Sequence, residues 1–212
     1  MGEGSTRDRI LTAGEALFAE VGFEGATLRR LTTTAEVNLA AVHYHFGNKE
    51  GLFRAVLERR LAPINAERLR RLDLLESRSA SPSLEEVVEA FVGPMLSVQQ
   101  DPRAVAFVRR LLGRICTDQG GEWIPHFLAQ FSGVKERFAV AFQRALPALS
   151  PAEVASRMHF SLGATAHAIA DETRIAALSD GLCDPRDSET LLAELVRFIT
   201  GGLRAPQREE RS

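Results

Sequence analysis

The sequence predicts an all-α protein, and three observations carry that prediction. Its long apolar-periodic stretches repeat at the three-to-four-residue spacing of amphipathic helices. Prolines cluster near the starts of those stretches, where a missing N–H costs little. No alternating Val/Ile/Thr run bounded by hairpin turns occurs, so no strand is expected. The 212 residues, 45% apolar and 25% charged, have an ordinary globular composition and enough length to bury a core. No run of about 18 apolar residues offers a membrane span. The opening MGEGSTRDR lacks the apolar centre of a signal peptide, which places the chain in the cytoplasm as an expectation. Cys116 and Cys183 lack a C-x-x-C pairing and read as reduced, buried side chains.

The first helix opens at Ser5 or Thr6, with Asp8 at capping-box spacing. Ile10, Ala13, Gly14, Leu17, Phe18 and Val21 form its apolar stripe, and Gly22 is a natural left-handed stop. Gly25-Ala26-Thr27 is a loop ending in an N-cap residue, after which Leu28, Leu31 and Ala35 recur over barely two turns. A break follows at Glu36-Val37-Asn38, and Asn38 caps a second short helix from Leu39 to about Tyr44 or His45. Two helices this short survive only when packed on each other and on a third. Helix, tight turn, helix is also the geometry that lays a second helix into a DNA major groove.

The content of that second helix suits the task. Leu39, Ala40 and Ala41 are small or apolar, allowing close approach to bases and contact with a thymine methyl. His43, Tyr44 and His45 offer hydrogen bonds to phosphates or base edges, and Lys49 adds a charge. The plainer reading makes the aromatics core residues, which we prefer for Phe46. His43-x-His45 lacks the i, i+4 spacing of a helical metal pair, so no metal or cofactor is expected. The net charge of −2 gives no nucleic-acid footprint, although residues 49–71 hold seven basic against three acidic side chains. That surplus is either a solvated helix face or a phosphate patch that a dimer would double.

Arg9-Ile10-Leu11, Leu17 through Phe23, Thr27, Ala35-Glu36-Val37 and Ala41 through Phe53 together resemble the DNA-binding domain of TetR-family transcriptional regulators, over about residues 7–57. The resemblance implies an N-terminal three-helix helix-turn-helix domain, residues 1–50, with a linking helix from about residue 48. It implies a helical effector-binding and dimerisation domain over residues 51–212. Thr27 and Asn38 would then cap helices and touch phosphates. Leu39, Ala40, Ala41 and His43 would face bases, while Tyr44, His45 and Lys49 would hold the DNA backbone. Three positions depart from the family pattern: Glu36 replaces a turn glycine, Thr32 an alanine and His43 a tyrosine. The last bears on which operator is read.

Asn48 caps a long helix that carries Pro63 in its interior, a kink, and that ends near Arg78-Ser79-Ala80. Ser83 with Glu86, Asp101-Pro102, Ser150-Pro151-Ala152-Glu153, and Asp187 or Ser188 mark further starts. Gly93-Pro94 and Pro125 interrupt helices. Trp123, Ile124, Phe127 and Phe131 share one face of a helix ending near Leu146, and Phe107, Leu111, Leu112 and Ile115 form a facing stripe flanked by Arg109, Arg110 and Arg114. The stripes are either core or the wall of a ligand pocket, the pocket set being Phe107, Leu111, Arg114, Trp123, Phe127 and Phe131.

Residues 38–46, Asn48-Lys49-Glu50, Leu61-Ala62-Pro63 and residues 81–86 also resemble the PsrA-like, fatty-acid-responsive subgroup, which makes a fatty acid or acyl-CoA the first effector to consider. The last two helices, about 151–178 and 188–203, are where the family dimerises. Small residues from Ser161 to Ala170 and a stripe from Leu191 to Leu203 suit an intermolecular four-helix bundle, with Leu162, Ala166, Ile169, Leu192, Leu195 and Ile199 at the seam. The tail after Gly202 is expected to be disordered. The function expected is a ligand-responsive, homodimeric repressor of a near-palindromic operator. A helical-bundle enzyme using His159 or His167 with Asp171 or Glu172 is the rival, but no nucleophile elbow, phosphate loop or metal pair accompanies those residues. An interaction protein without DNA binding is the third reading, hinted at only by Glu36.

Overall fold

A computed structural model describes residues 5–97, 102–117, 121–170, 172–184 and 187–206, without the side chains of 97, 102–104, 114–117 and 172–174. Eleven helices and no strand occur among the described residues. They are α1 (Thr6–Gly25), α2 (Leu28–Ala35), α3 (Leu39–Phe46), α4 (Lys49–Arg78), α5 (Leu84–Ser97), α6 (Pro102–Thr117), α7 (Ile124–Ala129), α8 (Ser132–Ala145), α9 (Pro151–Ala170), α10 (Glu172–Leu178) and α11 (Ser188–Leu203). No helix among the described residues is long and apolar enough to cross a membrane. The chain divides into two compact units, Met1–Pro63 with Asp101–Gln130, and Ile64–Gln100 with Phe131–Ser212.

Helix starts follow the capping chemistry. The Ser5 hydroxyl accepts from the Asp8 amide at 3.2 Å. Ser83 and Glu86 form a reciprocal box at the head of α5, as Ser150 and Glu153 do at α9. Asp187 accepts from the Thr190 amide at 3.0 Å to open α11. Gly22 adopts φ 76°, ψ −178°, a backbone reserved for glycine, and breaks α1 three residues before its end.

The first unit is built on an aromatic cluster. Phe18 and Phe23 of α1 both lie 5.0 Å from Phe53 of α4, which meets Trp123 edge-on at 6.4 Å. α6 packs along α1 and contributes buried Phe107 and Leu111. This burial brings residues 101–130 into the same unit as the N-terminal helices, a division that runs elsewhere than a boundary at residue 50.

The second unit packs α5 against α11, α8 and α9. Phe91 meets Phe138 at 4.9 Å and Phe142 at 5.7 Å. Several expectations change here. The helix read through residues 123–146 is two helices, because Gln130 and Phe131 separate α7 from α8; Phe131 has φ −110°, ψ 1°. Within residues 151–178, α9 and α10 cover 151–170 and 172–178, and Asp171 lies outside the described residues. Ala166, Ile169, Leu195, Ile199 and Leu203 are buried within this unit, so much of the stripe read as a dimer seam serves the protomer's own core. Leu192 is half-buried and Leu162 exposed. Instead, α9 and α11 expose two aromatics, Phe160 (69%) and Phe198 (72%). Cys183 is exposed, not buried, and the Cys116 side chain lies outside the described residues. The chain after Gly202 is held through Ala205. Arg157 donates to the Leu203 and Ala205 carbonyls at 2.6 Å, and Arg204 pairs with Glu85 at 2.6 Å.

Glu67 accepts from both Arg70 (2.7 Å) and Arg71 (2.8 Å), and those two guanidinium groups hold its carboxyl down to about 2. A depressed carboxyl stabilises the fold fully above its ordinary range and loses that contribution as pH falls. Acid titration followed by circular dichroism is therefore expected to show stability falling between pH about 4.5 and about 2. Glu67→Gln should remove about 1 kcal/mol of the stability lost over that range, after allowance for solvent screening, and so flatten the slope. An unchanged slope in Glu67→Gln would refute the assignment.

Candidate nucleic-acid interface

α3 has eight residues and a single buried one, Val42, which is 0% exposed. Around it, Leu39, Ala40 and His43 are exposed, Ala41 and His45 half-exposed, and Tyr44 is 85% exposed. A helix this short and this wet has little burial energy of its own. Its position comes from its ends. The Asn38 side chain accepts from the Ala41 amide at 2.8 Å, and Thr27 does the same for the Arg30 amide at 3.3 Å at the start of α2. Both N-termini present further unpaired backbone donors and the positive end of a helix dipole, as a phosphate requires.

The turn between α2 and α3 explains how Glu36 stands where glycine is usual. Its backbone is left-handed, φ 51°, ψ 49°. The Val37 amide reaches back to the Thr32 carbonyl (3.1 Å) and the Glu36 amide to Thr33 (3.3 Å), a Schellman closure. Arg9 of α1 then donates to the carbonyls of both Ala35 and Glu36 at 2.7 Å, locking the turn to the first helix. At the other end, Gly47 (φ 76°) closes α3, and the Asn48 side chain accepts from the Gly51 amide at 2.8 Å to open α4. A Cβ on Gly51 would fall onto the Phe46 carbonyl oxygen, so this close crossing of α3 and α4 requires glycine.

Several charges near the interface are already committed. Lys49 donates to the Phe23 and Ala26 carbonyls at 3.0 and 3.3 Å and sits 4.4 Å from the Phe23 ring, so it ties α4 to the end of α1 where the sequence suggested a DNA phosphate. Arg30 holds Glu20 through two bonds of 2.6 and 2.7 Å. Arg29, exposed on α2, has no side-chain partner among the described residues and is a phosphate-binding candidate that spacing alone did not single out. His43 places Nδ1 2.6 Å from the Gly47 carbonyl oxygen. A carbonyl oxygen only accepts, so Nδ1 is the donor here, and Nε2 is the ring nitrogen left for a base edge. Tyr44 meets the His45 ring edge-on at 5.0 Å. Phe46 is half-buried beneath Arg7, 5.5 Å away.

The proposed pocket residues part company. Phe107, Leu111, Trp123 and Phe127 lie together in the first unit, where the space that Phe107, Leu111 and Trp123 line with Phe18, Phe23 and Phe53 measures only about 10 Å³. Phe131 belongs to the second unit, and the Arg114 side chain lies outside the described residues. A wider groove of about 1320 Å³ runs between α1, α4 and α6, but charges of both signs line it, among them Asp8, Glu15, Arg59 and Arg110. His159 and His167 are both exposed, and Asp171 is outside the described residues.

A family model for the tetR family of bacterial regulatory proteins matches residues 10–56, and one for a tetracyclin repressor-like C-terminal domain matches residues 89–202. The chain belongs to the TetR family. That is a family of regulators, not of enzymes. Its curated relatives include the transcriptional repressor NicS of Pseudomonas putida, 42% identical over 88 residues, which are 41% of this chain and 40% of NicS. The probable regulator YttP of Bacillus subtilis is 30% identical over half of each chain. The matches thus span about half the length of these relatives or less. Among solved structures, the fatty acid degradation regulator FadR from Bacillus halodurans covers 97% of this chain and is itself covered fully, with a TM-score of 0.64 at 14% identity. FadR from Bacillus subtilis, solved in complex with stearoyl-CoA, has a TM-score of 0.61 at 11% identity and covers 92% of this chain, with 98% of its own length matched. These likenesses establish the TetR-type fold.

The left-handed Glu36 backbone costs a side-chain-bearing residue about 1–2 kcal/mol relative to glycine, partly offset by the freedom glycine gains when unfolded. Its carboxylate lies 3.9 Å from Arg9 and is exposed, so it offers little in return. Glu36→Gly is expected to stabilise the protein by about 0.5–1 kcal/mol in urea unfolding, and a loss of stability would contradict this reading of the turn.

Proposed function

We propose that the protein is a ligand-responsive, dimeric transcriptional repressor acting in the cytoplasm, with α3 of each protomer reading one half of a near-palindromic operator. The observation that carries this is the disposition of α3, with Val42 inward and Ala40, His43 and Tyr44 outward on a helix fixed at both ends. Leu39, Ala40, Ala41 and His43 are suited to base edges and Tyr44 and His45 to the backbone, with Thr27, Asn38 and Arg29 placed for phosphates. Relatives named as repressors, such as NicS, support the direction of control. The exposed aromatics Phe160 and Phe198 on α9 and α11, together with Leu162, are suited to burial between protomers.

The effector is an apolar or amphipathic small molecule, with a fatty acid or acyl-CoA first in order. The support is the PsrA-like resemblance and the stearoyl-CoA bound by a FadR of the same fold. Effector binding would favour a dimer whose two reading helices are wrongly spaced for the duplex, emptying the operator by population shift.

Fluorescence anisotropy with duplex DNA from the protein's own promoter region tests the reading. Two chains are expected per duplex, with affinity falling steeply as salt rises. His43→Ala and Tyr44→Ala should each lower operator affinity about 10-fold or more while leaving thermal stability unchanged, the scale of one lost base or backbone contact. Sequence-independent binding, or full affinity in both variants, would overturn it.

A further inference from the structure

We propose that Arg68 is the receptor for a single carboxylate carried on an apolar body, inside the second unit. The proposal rests on the reading of the protein as an effector-responsive regulator and specifies the chemistry of the effector's head. Arg68 lies on α4 and is 1% exposed. Its guanidinium sits 5.1 Å from the Phe91 ring and 5.8 Å from that of Phe131. Nε donates to the Phe91 carbonyl at 2.7 Å and Nη1 to Asn65 Oδ1 at 3.2 Å. Nη2 is buried and has no acceptor.

The neighbouring arginines of the same helix behave differently, since Arg70 and Arg71 both hold Glu67. Nothing comparable stands against Arg68 among the described residues. Burial alone lowers its pKa, to about 10, and no anion raises it again. A buried cation stripped of water and left without a counter-ion is costly, and a leucine or methionine would fill the same space more cheaply if filling were its only task.

The missing partner has a defined chemistry. One positive charge with one open N–H edge is balanced by one negative charge, which a carboxylate supplies through charge-assisted hydrogen bonds. A phosphate dianion or a CoA group would bring more charge than this site neutralises. The surroundings are aromatic, with Phe138 and Phe142 packed against Phe91, so what accompanies the carboxylate must be apolar. Phe131, only half-buried, is the outer wall of this cage. The free acid is therefore preferred over its CoA thioester.

Isothermal titration of the full-length protein with decanoate and laurate, each against the alcohol of equal chain length, and with lauroyl-CoA, tests the site. The wild type is expected to bind each acid at least 10-fold more tightly than its alcohol, and laurate more tightly than lauroyl-CoA. Arg68→Met should bring acid and alcohol to within about 2-fold, and Arg68→Lys should retain a preference for the acid. Should Arg68→Met lose its helical circular dichroism, the wild-type comparison and Arg68→Lys decide. Equal binding of acid and alcohol by the wild type overturns the proposal. So does no binding of either acid, tighter binding of lauroyl-CoA, a preference that survives in a folded Arg68→Met, or its loss in a folded Arg68→Lys. Operator affinity is measured separately. Its absence would defeat the regulator reading, while the acid-to-alcohol ratio would still report on Arg68.

Discussion

A two-turn helix that buries one side chain cannot hold its own position, and α3 is such a helix. Val42 alone reaches the core. The Arg9 guanidinium, bound to the carbonyls of Ala35 and Glu36, sets where α3 begins. Gly47 and the close crossing at Gly51 set where it ends. Lys49 anchors the following helix to the end of α1. Each anchor is a polar contact to a backbone carbonyl or a glycine that permits close approach. Side-chain packing then remains unused on the outward face, where DNA recognition needs it unused.

This construction changes the meaning of the charges. Arg9, Arg30 and Lys49 lie on the elements that flank α3, and all three are spent on the protein itself. On the proposed reading, the electrostatic attraction to DNA would fall on helix N-termini, on Arg29 and on the doubling of every contact in a dimer. A chain of net charge −2 can bind a polyanion on those terms because the attraction is local. The second unit shows the opposite economy at Arg68, a buried cation whose Nη2 has no acceptor among the described residues.

Many helix starts in both units were legible because their signals are short-range. Ser5, Thr27, Asn38, Ser83, Ser150 and Asp187 announce their helices by capping, a contact over three residues. The outward placement of Tyr44 was implied by the family resemblance, which sets it against the DNA backbone, and not by apolar spacing. Long-range partners were not legible. Nothing local tells that Lys49 bonds to Phe23 and Ala26 rather than to phosphate, or that Leu195 and Ile199 fill their own protomer's core. A periodic stripe identifies a buried face but not what buries it. The break at Gln130 and Phe131 was missed because the apolar period runs through it. Arg68 was hidden among seven basic residues, distinguished from Arg70 and Arg71 only by the side of α4 on which it lies.

Tyr44 is the only tyrosine in the chain, and it is 85% exposed. Nitration of the protein with and without operator duplex therefore reads the outward face of α3 at one atom group. Rapid nitration of Tyr44 in the free protein, strongly suppressed by operator and not by an unrelated duplex, is the expected result. Equal nitration in the free and operator-bound states would contradict the placement of α3 at the DNA.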